Sequence, residues 1–241
     1  MSIFMGVIDS ALGMMYGTLS SPILVLIGYA TKLAVPSVTM SQAVCDLVAS
    51  IRHHQYKNGN FSSFKTRDSK LVLSIVLPGI LAVVLGVFVA VKLPTTWLNL
   101  YIGILVTLMG VLCLRPIYYA FAWWKIWLIG ILSSFNKAIS GGGFGPVTVT
   151  GKILGGVDPK ISVATTILSK GTICALSTVI WFMMNGWIKW QLPLTMCVGG
   201  AIGALFGPYI TKKFDTKWLR VATGCMAIIC GLLVIILKLK A

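Results

Sequence analysis

The stretch NKAISGGGFGPVTVTGKI, residues 136–153, decides the fold of this 241-residue chain. It lies in a strongly apolar region, yet it contains three consecutive glycines, a fourth glycine two residues later and then a proline. Glycine and proline are the weakest helix formers. Lys137 stands four residues before the glycine run, with no acidic residue near it in sequence. The stretch therefore indicates a helix that is broken inside an apolar region, with a charge beside the break.

The composition indicates that this apolar region lies in a membrane. Hydrophobic residues make up 57% of the chain and charged residues only 10%, whereas soluble domains carry about 25% charged residues. A helix needs about 20 apolar residues to cross roughly 30 Å of hydrocarbon. Uncharged apolar runs that approach or reach this length occur at 71–91, 97–114, 190–211 and 221–237. We therefore predict an all-α, multi-pass (polytopic) protein of the plasma membrane, with the lipid bilayer as its surroundings.

The charges exclude several function classes. The net charge of +15 comes from twenty Lys and Arg against five Asp and no Glu, and the basic residues mostly punctuate hydrophobic segments. That pattern is typical of membrane orientation rather than of nucleic-acid binding.

The six cysteines lack metal-ligand spacing, so we expect no metal and no cofactor. With neither an HExxH nor a GxSxG motif, the chain is not predicted to be an enzyme.

An internal repeat divides the chain. At an offset of 124, Gly6 and Pro22 fall on Gly130 and Pro146, and at an offset of 121, Trp97-Leu98 falls on Trp218-Leu219. We interpret residues 1–118 and 119–241 as homologous halves of four hydrophobic segments each. The segments are 3–31, 36–56, 71–91 and 97–114, then 122–156, 160–184, 191–211 and 217–237.

The first segment of the second half is too long for one straight span and is broken by glycine. Its arms, 126–136 and 143–155, are each about half a bilayer long at roughly 1.5 Å per residue. This predicts a re-entrant hairpin with its glycine turn near the midplane, and a broken helix that spans the membrane is the alternative.

The basic residues favour the hairpin. If all eight segments span, eight basic loop residues lie on one side of the membrane and ten on the other. If both first segments re-enter, thirteen basic loop residues lie on one side and five on the other, with Lys137 and Lys170 left inside the membrane. The larger asymmetry is the one expected of loops facing the cytoplasm. We therefore favour inverted over parallel repeats, with loops 57–70, 115–125, 152–160 and 212–220 in the cytoplasm.

Glycines at such a break also suit ligand binding. Gly141, Gly142 and Gly143 would let backbone N–H groups approach a ligand closely. The arm beginning near Phe144 would direct the positive end of a helix at it, which favours an anion. Close helix packing through small residues is the alternative.

The motif ISGGGFGPVTVTGKILGGVDPKISVATTILSK, residues 139–170, resembles the sulfite exporter TauE/SafE family, also called the toluene sulfonate uptake permease family. The resemblance implies a membrane carrier for sulfur-containing anions such as sulfite, sulfonates and sulfoacetate. The first half, YGTLSSP at 16–22, departs from the motif but offers hydroxyls to an oxyanion. The candidate substrate-binding residues are Lys137, Ser140, Gly141, Gly142, Gly143, Gly145, Thr165, Thr166 and Lys170, with Thr18, Ser20 and Ser21 from the first half.

The charged residues inside the membrane need partners or a task, because each costs about 3 kcal/mol by insertion scales. Asp46 is the expected partner of Lys170 and the candidate coupling group, while Asp9 is the other candidate partner or lies near a membrane surface. A structural ion pair is the alternative for Lys170, and snorkelling to an interface is the alternative for Lys137. His53 and His54 are expected in a solvated basic loop.

We therefore predict a secondary transporter that exports small sulfur-containing oxyanions by alternating access, as a monomer or homodimer. Export of an anion across an inside-negative membrane gains about 2.3 kcal/mol per charge at 100 mV, so no ATP motif is needed. An anion channel and a proton-coupled importer of organosulfonates are the alternatives.

Overall fold

A computed structural model describes residues 1–92, 95–115, 119–185 and 190–239. Within these ranges the chain forms helices and no strands. The first half contains α1 (Ser2–Leu12), α2 (Tyr16–Leu26), α3 (Thr31–Gln55), α4 (Arg67–Lys92) and α5 (Thr95–Leu114). The second half contains α6 (Trp123–Ser140), α7 (Phe144–Leu154), α8 (Pro159–Asn185), α9 (Gln191–Ala204), α10 (Gly207–Lys213) and α11 (Thr216–Leu239).

Several of these helices are long and apolar enough to cross a membrane. In the described parts of the chain, five stretches qualify: Lys32–Gln55, Arg67–Ala90, Pro159–Met184, Gln191–Lys213 and Thr216–Ile236. Large apolar side chains remain exposed on their outer faces, including Leu81 on α4 and Val198 on α9. Such faces are stable in lipid and costly in water. The predicted all-α, multi-pass membrane architecture is confirmed.

The glycine-rich stretch forms a hairpin. Helix α6 ends at Gly141 and α7 begins after Gly143, and both glycines have positive φ angles, 72° and 76°. Tyr119, just before α6, donates its backbone N–H to the carbonyl of Leu154 at 2.9 Å. Because the start of α6 lies beside the end of α7, the chain enters and returns at the same end of the molecule.

Helices α1 and α2 form a second hairpin. Gly13 and Met15 turn the chain with φ angles of 76° and 111°. The Ser20 hydroxyl donates to the Met5 sulfur at 3.1 Å, which places the two arms side by side. A positive φ at a residue with a side chain costs about 1–3 kcal/mol, so the turn at Met15 is strained.

The loops rich in Lys and Arg lie together at one end, which we call the basic end: residues 57–70, 119–125, 155–160 and 212–220. Contacts join these loops: the Lys160 ammonium donates to the Lys212 carbonyl at 2.9 Å, and the Arg67 guanidinium lies over the Phe121 ring at 5.5 Å. Asn58 donates to the carbonyl of Pro208, in α10 just before residues 212–220, at 2.8 Å. The five basic residues predicted for the opposite end are Lys32, Lys92, Lys189, Lys238 and Lys240. Of these, Lys189 and Lys240 lie outside the described residues.

Packing between the halves is reciprocal. Helix α1 packs on α9, while α6 packs on α4, and α2 packs on α11, while α7 packs on α5. Helices α3 and α8 pack against each other, as do α5 and α11. Helix α3 ends at the basic end, where α8 begins, so these two neighbours run in opposite directions.

One predicted segment is divided. The stretch 191–211 was expected as one apolar segment, but it forms α9 and α10 with a break at Leu205 and Phe206. Pro208 lies in the first turn of α10. Proline lacks an N–H and disfavours a helical conformation in the residue before it, so a continuous helix would be interrupted here.

Candidate functional site

The turns of the two hairpins meet in the middle of the protein. A Cβ atom added to Gly142 would lie 2.8 Å from the Cα of Thr18, and one added to Gly145 would lie 2.9 Å from the Cα of Met14. The N–H of Gly143 points to the Thr18 hydroxyl oxygen at 3.3 Å. Glycine is required at these positions because two backbones approach within van der Waals contact.

Lys137 is buried beside this contact, with 1% of its surface exposed. Its ammonium donates to the carbonyl of Gly141 at 2.6 Å and to the side-chain oxygen of Gln42. Snorkelling of Lys137 to an interface is therefore wrong, because its side chain is held at the turn. Both acceptors are neutral, so they solvate the ammonium without cancelling its charge.

Lys170 is also buried and contacts two carboxylates. Its ammonium lies 2.6 Å from Asp9 Oδ2 and 3.4 Å from Asp46 Oδ1. Both expected partners are present, but Asp9 is the closer and is itself 1% exposed. The expectation of Asp9 near a membrane surface is wrong, because the α1–α2 hairpin folds its turn into the protein.

Asp46 is held differently from Asp9. Neither of its carboxylate oxygens has a hydrogen-bond partner, although the residue is completely buried. Its contact with Lys170 is an ion pair without a hydrogen bond. A buried carboxylate without hydrogen bonds is costly when ionised, so Asp46 is the less firmly held of the two carboxylates.

A small cavity lies where the two turns meet. Its volume is about 10 Å³, near the minimum for one water molecule. A sulfite ion does not fit, so the turns must separate before an anion of that size can enter. The cavity is lined by Asp9, Met14, Met15, Gly17, Thr18, Gln42, Lys137, Gly142, Gly143, Phe144, Gly145 and Lys170.

Ser140 lies at the turn and stabilises it. Its hydroxyl donates to the carbonyl of Asn136 and accepts the N–H of Gly142, both at 3.1 Å. Ser21 is nearby, with a buried hydroxyl that has no hydrogen-bond partner, and a Cβ on Gly141 would overlap it.

Three other predicted binding residues have their hydroxyls occupied elsewhere. Ser20 donates to Met5, Thr166 donates to the carbonyl of Ser162 at 2.6 Å, and Thr165 donates to the carbonyl of Ile161 at 2.6 Å. The structure does not place these three at the wall of the cavity.

Lys152 was expected in a cytoplasmic loop, and this is wrong. It lies in the last turn of α7, completely buried, and donates to the hydroxyl of Thr165 at 2.6 Å. The return arm of the hairpin packs into the protein and carries the lysine with it. The count of basic loop residues on that side falls from thirteen to twelve.

His53 is also buried rather than solvated, unlike the exposed His54. Its Nε2 donates to the carbonyl of Ser10 at 2.9 Å, and Asn58 donates to its Nδ1 at 3.1 Å. The ring therefore ties α3 to the end of α1, next to Asp9.

Gln42 is a cavity residue that sequence reasoning missed. It lies one helical turn before Asp46, so both side chains share a face of α3. The spacing Gln-x-x-x-Asp, in a segment that also carries Ser37, Thr39 and Ser41, was the available signal.

Comparison with known proteins gives two findings. A model of the family described as "Sulfite exporter TauE/SafE" matches residues 1–234. A Bacillus subtilis (strain 168) protein, "Probable membrane transporter protein YtnM", is 28% identical over 232 residues, which cover 90% of this chain and 74% of that protein. No solved structure matches the chain.

Proposed function

Because the chain belongs to the sulfite exporter TauE/SafE family, we propose that it is a secondary transporter that exports small sulfur-containing oxyanions of the sulfite, sulfonate or sulfoacetate class. Membership confirms the resemblance in residues 139–170, and the protein is a membrane transporter of that family. The proposal comprises the class of anion, the export direction and alternating access. It also comprises a location in the plasma membrane and a monomeric or homodimeric state.

The observation that carries this proposal is the pair of buried lysines, Lys137 and Lys170, at one cavity. A charged group at membrane depth normally lines a substrate pathway or has a partner. Lys170 is compensated by carboxylates, but Lys137 has only neutral acceptors. An oxyanion entering the cavity would give the Lys137 ammonium an anionic partner.

Reciprocal packing supports alternating access. We propose that 1–118 and 119–241 are inverted repeats, since each first-segment hairpin packs against the other half and α3 and α8 run in opposite directions. Carriers built from inverted repeats expose a midplane site alternately to the two sides by rocking one unit against another. The two glycine turns, which now close the cavity, would be the parts that separate.

Proton-coupled import is the second candidate, and Asp46 is the observation that favours it. A carboxylate without hydrogen bonds beside Lys170 could carry a proton together with the anion. An anion channel is the third candidate and would lack alternating access.

The test uses the purified protein in liposomes loaded with unlabelled sulfite. A carrier concentrates labelled external sulfite transiently by counterflow and saturates, whereas a channel does neither. Lys137→Met and Lys170→Met are expected to reduce exchange at least about tenfold, since each removes a charge-assisted contact. Lys65→Met, at an exposed loop position, is the matched control.

Wild-type rates in both buried-lysine variants would contradict the proposed site. A thermal-shift series with sulfite, sulfate, thiosulfate, sulfoacetate and taurine would then identify the preferred anion. Stabilisation by none of the sulfur oxyanions would contradict the proposed substrate class.

A further inference from the structure

Asp9 is held in the way that proteins hold a bound anion. Its Oδ1 accepts the backbone N–H of Tyr16, the first residue of α2, at 3.1 Å. Its Oδ2 accepts the Lys170 ammonium at 2.6 Å. A helix N-terminus and a buried ammonium are the two donors that oxyanion sites commonly combine.

The strained turn contributes to this arrangement. Met15 has a φ angle of 111° directly before α2, and the next N–H, that of Tyr16, is the one bound by Asp9. Strain of this kind clusters at ligand sites, where the surrounding structure maintains it. The first half therefore presents a helix end to the cavity, although the sequence pointed to the helix end of α7.

Asp46 provides an internal comparison. It faces the same ammonium at 3.4 Å, yet no N–H donor reaches either of its oxygens. An ion pair that only neutralised Lys170 could be formed by either carboxylate alone. Asp9 alone has the two-donor contact that a sulfite or sulfonate oxygen pair would make.

We propose that the carboxylate of Asp9 occupies the binding position of the transported anion, between the Tyr16 N–H and the Lys170 ammonium. We call this position the seat. Asp9 then acts as a tethered competitor that the substrate displaces. The inference rests on the proposed function and deepens it by assigning the seat. The ligand it takes is an oxyanion with at least two free oxygens on one atom, such as sulfite or a sulfonate.

This seat links binding to movement. The substrate and the Asp9 carboxylate cannot use the same two donors together, so binding must displace the carboxylate, and we expect this to move the end of α1 away from Lys170. Gly13, four residues after Asp9, packs its carbonyl against Gly145, so the displacement would pull on the contact between the hairpins. When the anion leaves, Asp9 returns to its two donors, the Tyr16 N–H and the Lys170 ammonium.

The test measures sulfite binding to purified Asp9→Asn by calorimetry. Asparagine keeps the size of the side chain and an acceptor for the Tyr16 N–H but removes the competing charge. We expect sulfite affinity to rise about tenfold or more. Asp46→Asn removes a charge beside the same ammonium without freeing the seat, so its affinity is expected to rise by a smaller factor.

Chemical complementation makes the test specific. In Asp9→Ala the seat is vacant, so formate is expected to raise the melting temperature of this variant and to compete with sulfite. Asp46→Ala, the matched control, is expected to gain neither effect. Competition by formate in Asp9→Ala supports the shared seat, and formate binding without competition overturns it.

A measurement on the unmodified protein covers the case in which the Asp9 variants do not fold. Sulfite is expected to increase modification of Asp9 by a hydrophobic carbodiimide, mapped by mass spectrometry, because the displaced carboxylate leaves its donors. Unchanged or reduced modification under saturating sulfite overturns the inference, as does unchanged or weaker sulfite binding by folded Asp9→Asn. Absence of anion binding by the wild-type protein contradicts the proposed function instead.

Discussion

Lys170 lies between two carboxylates, and the one without hydrogen bonds, Asp46, determines the expected response to pH. A proton on Asp46 removes its charge and leaves the Lys170 ammonium freer to attract an anion. Transport by the wild-type protein should therefore increase as pH falls. Asp46→Asn imitates the protonated state, so we expect it to bind the anion and to lose this pH dependence.

Uptake of labelled sulfite into liposomes, measured at several pH values for the wild type and Asp46→Asn, checks this prediction. Lys65→Met again serves as a control that keeps the site intact. A wild-type pH profile in Asp46→Asn would show that Asp46 is not the coupling group. Export driven by membrane potential alone would then be the better account.

Lys152 gives a prediction about stability. Among the described residues, its buried ammonium donates a hydrogen bond to the Thr165 hydroxyl and has no carboxylate within 4 Å. Replacing buried charged groups by apolar side chains of similar volume is often neutral or stabilising, by up to about 4 kcal/mol. We expect Lys152→Met to unfold at the same temperature as the wild type or higher in a detergent thermal scan.

The matched control for this scan is Lys170→Met, which leaves two buried carboxylates without their cationic partner. Breaking a buried pair costs about 3–5 kcal/mol, so this variant should unfold at a lower temperature. A large loss of stability in Lys152→Met would mean that its charge is compensated within the protein.

Both lysines of the cavity could be identified from the sequence, because an isolated cation in an apolar run is visible without a structure. Lys152 could not, since GKILGG can equally be the end of a helix or the start of a basic loop. The Asp9–Lys170 pair spans 161 positions. It depends on how the hairpins fold into the protein, which no local pattern encodes.

At the scale of elements, the contact between the two hairpin turns gives the clearest prediction. A Cβ on Gly142 would lie 2.8 Å from the Thr18 Cα and 3.1 Å from the Gly17 carbonyl, so any side chain pushes α2 away. We expect Gly142→Val to abolish transport while the protein still inserts. Counterflow in liposomes measures the first, and yield with size-exclusion behaviour measures the second.

Gly156→Ala is the matched control for this experiment. Gly156 has a positive φ angle of 78° but open space around its Cβ position, so alanine there strains the backbone without touching the other hairpin. Transport by Gly142→Val at the wild-type rate would mean that the glycine turns do not form the site.

The hairpin of α6 and α7 was predictable because four glycines and a proline rule out a continuous helix and the arms are too short to span. Its packing partner was not. The break between α9 and α10 was hidden, because the apolar run continues across Leu205 and Phe206 without a change in composition.

At the scale of the whole molecule, the charge pattern predicted which loops share an end, and their contacts agree with it. The sequence does not show that each hairpin packs against helices of the other half. The proposed repeat was inferred by aligning the chain with itself, but the packing of each hairpin on the other half depends on complementary surfaces that a sequence alignment does not show.

The orientation in the membrane is the last prediction. Without Lys152, twelve basic residues remain on the side of the basic end, ten within it and Arg52 and Arg115 beside it. This side is expected to face the cytoplasm. Single cysteines at Asn60, in the basic end, and at exposed Tyr29, between α2 and α3, should then label from opposite sides in a cysteine-free background. A cysteine at Lys240, outside the described residues, should label with Tyr29. Labelling of Asn60 and Lys240 from the same side would mean that the α6–α7 hairpin spans the membrane instead of re-entering it. The inverted arrangement on which alternating access depends would then be lost.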